Sequence, residues 1–293
     1  MRNPGDGFSL AELLIALLVV LCIGMMTFQL FYQNERVIRD QNLIMEMQQT
    51  ARVVMSQIAD EVRMAGQGVP IYASRFDTSA SEATAAFLGT STSDRIDFRA
   101  GLSNVETAIT TPAPIDLTIG SSQTLGIGDS TGLSPGKFIY IWGPATNGWV
   151  WLRAELTGVS STSISFVAQQ TGSQATIVHF KSAPTVYLEE AVSIFLSAGS
   201  VRRATGSNFT NPAAPTWSAS NEIGANFTAL TFTYYDVNGN VLAPVSLADR
   251  NAIARVDIRL TVQTAGALSN GVTPTYSLSL RTGPRNVRIR TVD

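Results

Sequence analysis

The chain has 293 residues and a formal net charge of −2, and 45% of its residues are hydrophobic. It contains one histidine and one cysteine, so it cannot build the usual zinc sites, a Cys–His nucleophile pair or an intramolecular disulfide. We therefore predict a non-enzymatic protein without a cofactor. No basic block or basic–aromatic pattern gives a direct nucleic-acid signal, which leaves DNA uptake by a pilus unsupported but open.

The N-terminal part joins a short polar segment to a long apolar one. Residues 1–7 are polar and glycine-rich, and residues 13–34 contain no charged side chain. As a helix, residues 13–34 are long enough to cross a hydrocarbon layer of about 30 Å. Glu12 is the one carboxylate near the start of this apolar stretch. A charge at the centre of a membrane helix costs roughly 2.5 to 3.5 kcal/mol, so the acid indicates a function and a partner.

The hexapeptide from Gly7 to Glu12, followed by the apolar run, resembles the cleavage signal of type IV prepilins and type II secretion pseudopilins. The resemblance implies that residues 1–7 are a leader, that Gly7 is its last residue and that Phe8 becomes an N-methylated mature N-terminus. A residue without Cβ lets a peptidase approach the scissile backbone closely. Glu12 is then expected to pair with the N-terminal amine of a neighbouring subunit, which gives two poorly solvated charges a partner.

Three simpler interpretations compete with this one. An ordinary secretory signal has a positive n-region and a small-residue cleavage site after its apolar core, whereas residues 1–7 carry one Arg and one Asp, and no Ala-x-Ala follows. A lipoprotein signal would use Cys22, but the bulky Leu21 stands where a small residue is needed. Glu12 could be an acid favoured by the dipole of a helix N-terminus, which leaves Gly7 and Phe8 unexplained.

Helical periodicity continues beyond the apolar stretch. Apolar residues recur at spacings of three, four or seven, and they are Val37, Ile44, Met47, Ala51, Met55, Ile58, Val62 and Ala65. This pattern predicts an amphipathic helix over 35–66 that continues a transmembrane or filament-core helix over 8–34 and ends near Ala65. The continuous helix would be about 85 Å long at 1.5 Å per residue. It contains no proline, and Gly24 is a weaker point for bending.

Short strand-like runs between turn residues predict a β-rich ectodomain over residues 67–293. The expected fold is α+β, with the long helix packed against a pilin-like head. The candidate strands are Arg95–Arg99, Lys137–Trp142, Trp149–Leu156, Ser163–Val167, Thr176–Lys181, Val186–Leu196, Phe227–Tyr235, Ala254–Gln263 and Tyr276–Arg281. The clearest alternation runs from Arg255 to Val262, with charges outward and aliphatic side chains inward. We assign no element to residues 72–93, which are small and polar without a period.

Two further segments narrow the resemblance. Residues 52–66 are similar to the end of the long helix in PilW-type minor pilins, and residues 230–239 with 253–262 look like the closing sheet shared by those pilins and J-type pseudopilins. The resemblance implies a minor pilin that helps to initiate a type IV pilus, in a tip-proximal complex. The alternatives are a J-type pseudopilin of a type II secretion system and an adhesive subunit at a pilus tip.

The same resemblance implies partners and location. The implied partners are other minor and major pilins, a prepilin peptidase, an inner-membrane assembly platform and, before assembly, membrane lipid. The implied location is the inner membrane with a periplasmic ectodomain, followed by a pilus or pseudopilus fibre at the cell surface.

One segment has the oxygen-rich start of a calcium loop. Asp236, Asn238 and Asn240 supply the oxygens, but the later bidentate Glu of such loops is missing. The same residues are good hairpin formers without metal, so calcium is the weaker interpretation and no metal is predicted.

The remaining side chains with binding potential have simple structural explanations. The four tryptophans mark either an adhesive surface or a core, and they are Trp142, Trp149, Trp151 and Trp217. His179 lies in a predicted strand and is expected to be structural, and Arg202–Arg203 is expected to be a solvated edge.

Overall fold

The computed structural model describes residues 10–70, 81–145, 148–172 and 175–284. Helix α1 (Leu10–Arg63) has 54 residues and runs through Gly24 without a break, so it is about 80 Å long at 1.5 Å per residue. It ends just before the expected Ala65, in a turn where Gly66 has φ 82°, a left-handed conformation that glycine adopts without a Cβ clash. The Gly66 amide donates a 2.7 Å hydrogen bond to the Arg99 carbonyl, which ties the helix end to the head.

The rest of the described chain is mainly β-strand, which confirms the expected α+β class. The strands are β1 (Arg95–Arg99), β2 (Glu106–Ala108), β3 (Ile115–Thr118), β4 (Ser122–Gly126), β5 (Phe138–Ala145), β6 (Gly148–Val159), β7 (Ser163–Thr171), β8 (Ile177–Phe180), β9 (Thr185–Leu188), β10 (Ala191–Ser197), β11 (Ser200–Asn208), β12 (Thr216–Trp217), β13 (Asn221–Gly224), β14 (Phe227–Tyr235), β15 (Val241–Leu242), β16 (Arg255–Gln263) and β17 (Thr275–Thr282). A short 3-10 helix (Glu82–Thr84) and helix α2 (Leu247–Ala252) complete the described elements.

The second half of α1 packs on two antiparallel sheets, and we call this assembly the platform. One sheet has the order β1-β10-β11-β12, with β13 also on β11, and the other has the order β15-β14-β16-β17. The shared core takes its helix side chains from Met47, Ala51, Val54, Met55, Ile58, Ala59 and Val62. Strand β16 contributes Val256, Ile258, Leu260 and Val262, as its alternation predicts.

Val37 is the exception to the expected apolar face. Its side chain is 51% exposed, whereas Ile44 is partly buried against the platform core. Val37 therefore belongs to the predicted apolar period, but the head does not cover it. The apolar period starts at Val37, before the point where the platform begins to cover the helix, so periodicity alone does not locate that boundary.

Residues 101–189 form a second β-structure, which we call the barrel. Its strands follow the order β2-β9-β5-β6-β7-β4. The two end strands are joined by the Ile109–Ile127 bridge, by a 2.8 Å bond from the Thr110 amide to the Gly126 carbonyl and by a 3.0 Å bond from the Gly128 amide to the Ala108 carbonyl. The circle therefore closes, and the β3–β8 ribbon adds Ile115, Leu117, Val178 and Phe180 to the core inside it.

The barrel is inserted between two neighbouring strands of the platform. Strands β1 and β10 pair directly, with Arg99 opposite Ala191, and the Ala100 amide donates a 3.1 Å bond to the Glu190 carbonyl. The chain thus leaves the platform and returns to it at one place. The predicted strand Val186–Leu196 was wrong in this respect, because it is two strands that belong to different sheets.

Part of the segment to which the sequence assigned no element packs into the head. Residues 71–80 lie outside the described residues, but Ala83, Ala85, Phe87 and Leu88 are buried. Phe87 forms a bridge with Phe98 of β1. Residues 81–88 therefore cover the platform at the point where the barrel joins it.

Candidate functional site

The N-terminal half of α1 exposes a continuous apolar surface. Its large apolar side chains from Leu10 to Tyr32 are 50–80% exposed, and the helix is long and apolar enough to cross a membrane. An exposed apolar surface of this length needs a lipid or protein partner. This half of the helix is the main candidate for an interaction site.

Glu12 lies in the first described turn of α1, and its side chain is exposed. The next charged residue of the helix is Glu35. The uncharged stretch between them rises about 33 Å at 1.5 Å per residue, which matches a hydrocarbon layer. Glu12 is therefore at one border of the apolar surface. Gly7 and Phe8 lie outside the described residues, so cleavage after Gly7 and methylation of Phe8 stay predictions.

One of the polar contacts that fasten the second half of α1 to the platform comes from β11. Arg203 of β11 donates through Nε to both carboxylate oxygens of Glu61, at 2.9 Å each. Arg202 donates to the Ser220 carbonyl at 3.3 Å and to its hydroxyl at 3.0 Å. The expectation that Arg202–Arg203 is a solvated edge was wrong, because β11 places Arg203 against the helix.

A second contact, nearer the N-terminus of α1 than Glu61, joins Asp40 to the loop between β16 and β17. The Ser269 amide donates to both carboxylate oxygens of Asp40, at 3.0 and 3.1 Å, and the Ser269 hydroxyl donates to one of them. The Ser269 side-chain hydrogen bond, with its amide, lowers the pKa of Asp40 below the ordinary 3.8. The platform therefore holds α1 from Asp40 onward, and the preceding thirty residues, about 45 Å of helix, extend beyond the head.

A buried ionic group joins the barrel to the platform. Glu189 accepts a 2.8 Å bond from Nε of Arg99 and a 2.7 Å bond from Nε of Arg153. The three side chains are 0–2% exposed. Arg99 is the last residue of β1, Arg153 belongs to the barrel strand β6, and Glu189 lies where the chain leaves the barrel. One carboxylate thus holds a guanidinium from each part.

Backbone carbonyls and a tyrosine complete this Glu189 cluster. Arg99 Nη1 donates to the carbonyls of Glu82 and Ala85, both at 2.9 Å, and Arg153 Nη2 donates to the carbonyl of Phe209. The Tyr140 hydroxyl lies 3.1 Å from Glu189, and burial together with the Glu189 charge raises its pKa well above the ordinary 10.0. Tyr140 therefore stays protonated at neutral pH.

The Glu189 cluster is not predicted from the sequence alone. The signal that could have found it is a charged residue on an otherwise apolar strand run, as in Trp151-Leu152-Arg153-Ala154. A buried charge must be paired, so such residues predict partners. The sequence does not say which distant residues supply them.

The Asp236 segment forms the predicted tight hairpin. Strands β14 and β15 pair on either side of it, and Gly239 has φ 87°. One oxygen of Asp236 accepts the amides of Asn238 and Asn240 at 2.9 and 2.8 Å, and the other accepts the Asn240 side chain at 2.8 Å. These bonds, led by the Asn240 side chain, lower the pKa of Asp236. Protein groups alone order this turn, and calcium stays the weaker interpretation of the segment.

Three of the four tryptophans lie in the β5–β6 hairpin, where Trp142 is opposite Trp151, but they differ in exposure. Trp151 is fully buried and Trp149 is 39% exposed. Trp142 and Trp217 are partly buried, and each packs against a core cluster. The four form no exposed tryptophan cluster of the kind that an adhesive surface would show. His179 is exposed in β8, with Nδ1 2.7 Å from the Asp116 carboxylate on the neighbouring strand.

The chain is similar to known proteins at the level of solved structures. No protein-family model matches the chain, and the search of curated proteins found no match. Among solved structures, a type IV-like pilin from Thermus thermophilus is similar over 53% of this chain and 87% of its own, with 10% identity and a TM-score of 0.25. Because the identity and the TM-score are low, the function proposed below depends on the residues of this chain.

Proposed function

We propose that the chain is a minor pilin that helps to initiate assembly of a type IV pilus. A prepilin peptidase cuts after Gly7, Phe8 is methylated, and Glu12 forms the assembly contact. The observation that carries this proposal is the exposed apolar half of α1 with one carboxylate at its border, extended from a head that grips only the other half.

The geometry supports two successive environments for this half of the helix. Before assembly, its uncharged stretch matches the membrane in length, and the ectodomain lies on the periplasmic side of the inner membrane. In the fibre, the same apolar surface packs against other minor and major pilins, since proteins rarely leave an apolar surface of this size exposed to water. Transfer from the membrane to the fibre requires an inner-membrane assembly platform, which is a partner complex and not the two-sheet platform of the head.

Glu12 gives the assembly contact its specificity. A carboxylate in an apolar environment is costly unless it has a charge partner. Cleavage after Gly7 creates an α-amino group at Phe8, and the Phe8 amine of a neighbouring subunit is a cation at a similar depth. Pairing of the two charges favours a subunit that enters the fibre in the correct axial position.

The proposal is tested by Glu12→Gln in cells that make the fibre. We expect the variant to be cut normally and to remain in the inner membrane, with strong loss from the sheared-fibre fraction and from minor-pilin complexes. The matched control is Glu35→Gln, which removes the next carboxylate of the same helix outside the apolar stretch. Normal recovery of Glu12→Gln in fibres would contradict the proposal, and recovery of the protein only in secretion fibres would favour the J-type alternative.

A further inference from the structure

A groove lies where the end of α1, the strand pair β5–β9 and the segment entering the barrel meet, and we call it the junction groove. Its volume is about 600 Å³, which is in the range of ligand sites. Both parts of the head contribute to its wall: Asp60 and Arg63 come from α1, and Glu106, Trp142, Tyr187 and Glu190 come from the barrel and its return to the platform. A ligand bound in this groove would contact the platform and the barrel together.

The charge of the groove is negative. Among its lining residues, Arg63 is paired with Asp60 at 2.5 Å, which leaves Glu106 and Glu190 without a cation from the lining. The Ser103 amide donates a 2.8 Å bond to one carboxylate oxygen of Glu190, so this side chain is held in place. Two carboxylates are too few for a calcium site, which takes six to eight oxygens. They suit an organic cation that brings its own hydrogen-bond donors.

An aromatic pair lies in the same wall. The rings of Trp142 and Tyr187 meet edge to face, with centroids 4.6 Å apart, and both side chains are half-buried. Tyr187 lies directly opposite Glu106 in the β2–β9 pair. An aromatic face beside a carboxylate is the arrangement that binds a lysine or arginine side chain, through cation–π attraction and charge pairing.

We propose that the junction groove binds a short basic peptide segment of a partner protein. A lysine or arginine of that segment lies against the Trp142–Tyr187 pair, with its charge between Glu106 and Glu190. The groove is too small for a folded domain and has room for a few side chains. This inference does not depend on the pilin function, because it uses only the chemistry of the head.

Isothermal titration calorimetry of the full-length chain in neutral detergent, with acetylated and amidated tetralysine as the probe, tests the proposal. We expect binding at low ionic strength that weakens as salt is added, and no binding of tetraglutamine. Glu106→Gln and Glu190→Gln are each expected to weaken tetralysine binding by up to about fivefold. Trp142→Leu is expected to weaken it by about two- to fivefold.

Matched controls lie outside the groove. Glu222→Gln removes an exposed carboxylate of β13, and Trp149→Leu removes the most exposed tryptophan; neither should change the affinity. Absence of tetralysine binding, or equal binding by the Glu106→Gln/Glu190→Gln variant, would overturn the proposal. It would also be overturned if tetralysine bound only after Arg285, Arg288 and Arg290 were replaced by glutamine, since the groove would then belong to the chain's own basic segment.

Discussion

Replacement of Glu189 by glutamine tests whether one carboxylate couples the barrel to the platform. The substitution keeps the size of the side chain and removes the charge that Arg99 and Arg153 share. Both guanidiniums keep their carbonyl acceptors but lose their counter-charge at positions that are 0% and 2% exposed. Loss of one partner from a buried ion pair costs about 3 to 5 kcal/mol.

In a chain of this size, that loss corresponds to a fall of roughly 6 to 20 °C in Tm. Thermal unfolding of the full-length protein in detergent, followed by near-ultraviolet circular dichroism, measures it. The matched control is Glu222→Gln, which changes an exposed carboxylate and should alter the free energy of unfolding by less than about 0.5 kcal/mol. A loss below about 1 kcal/mol for Glu189→Gln would refute the assigned role of the cluster.

A second variant separates charge from packing. Glu189→Gln alone leaves two guanidiniums, Arg99 and Arg153, without their counter-charge. The double variant Glu189→Gln/Arg153→Met leaves only Arg99 without it. We expect the double variant to lose at least about 1 kcal/mol less than the sum of the two single losses. Additive losses would show that the carboxylate and Arg153 act independently.

Two further predictions concern how the head is held together. Hydrogen bonds from Ser269 place the pKa of Asp40 below 3.8. The Asp40–Ser269 contact is therefore complete above pH 3.8 and is lost as the pH falls through the lower pKa of the folded state. Hydrogen-exchange protection of the Ser269 amide should follow this course, and it should be low at every pH in Asp40→Ala. Ile258→Ala in the platform core, where the side chain is fully buried, should reduce the free energy of unfolding by about 2 to 5 kcal/mol. In urea titrations, the exposed Val37→Ala should change it by less than about 0.5 kcal/mol, and similar losses for the two would contradict the assigned core.

The sequence predicted elements whose residues lie on one buried face. Strand β16 alternates because one of its faces packs on the platform, and the predicted range of β14 agrees with the structure for the same reason. Long apolar runs were less informative. The run from Val186 to Leu196 contains parts of two strands, and only the pairing of β9 with the barrel and of β10 with the platform separates them.

Non-local contacts explain what the sequence could not predict. Closure of the barrel depends on the Ile109–Ile127 bridge, and neither residue carries a pattern that identifies the other. The Glu189 cluster unites residues that are 36 and 90 positions apart. Arg203 pairs with Glu61 across 142 positions, so its contact with the helix required the tertiary structure.

The N-terminus of the mature protein tests the proposed function most directly. The measurement is mass spectrometry of the N-terminal peptide from protein extracted from membranes of cells with an active prepilin peptidase. We expect a peptide that begins at Phe8 and carries a methyl group on its α-amine. An intact Met1, or a chain that begins at a lipidated Cys22, would contradict it.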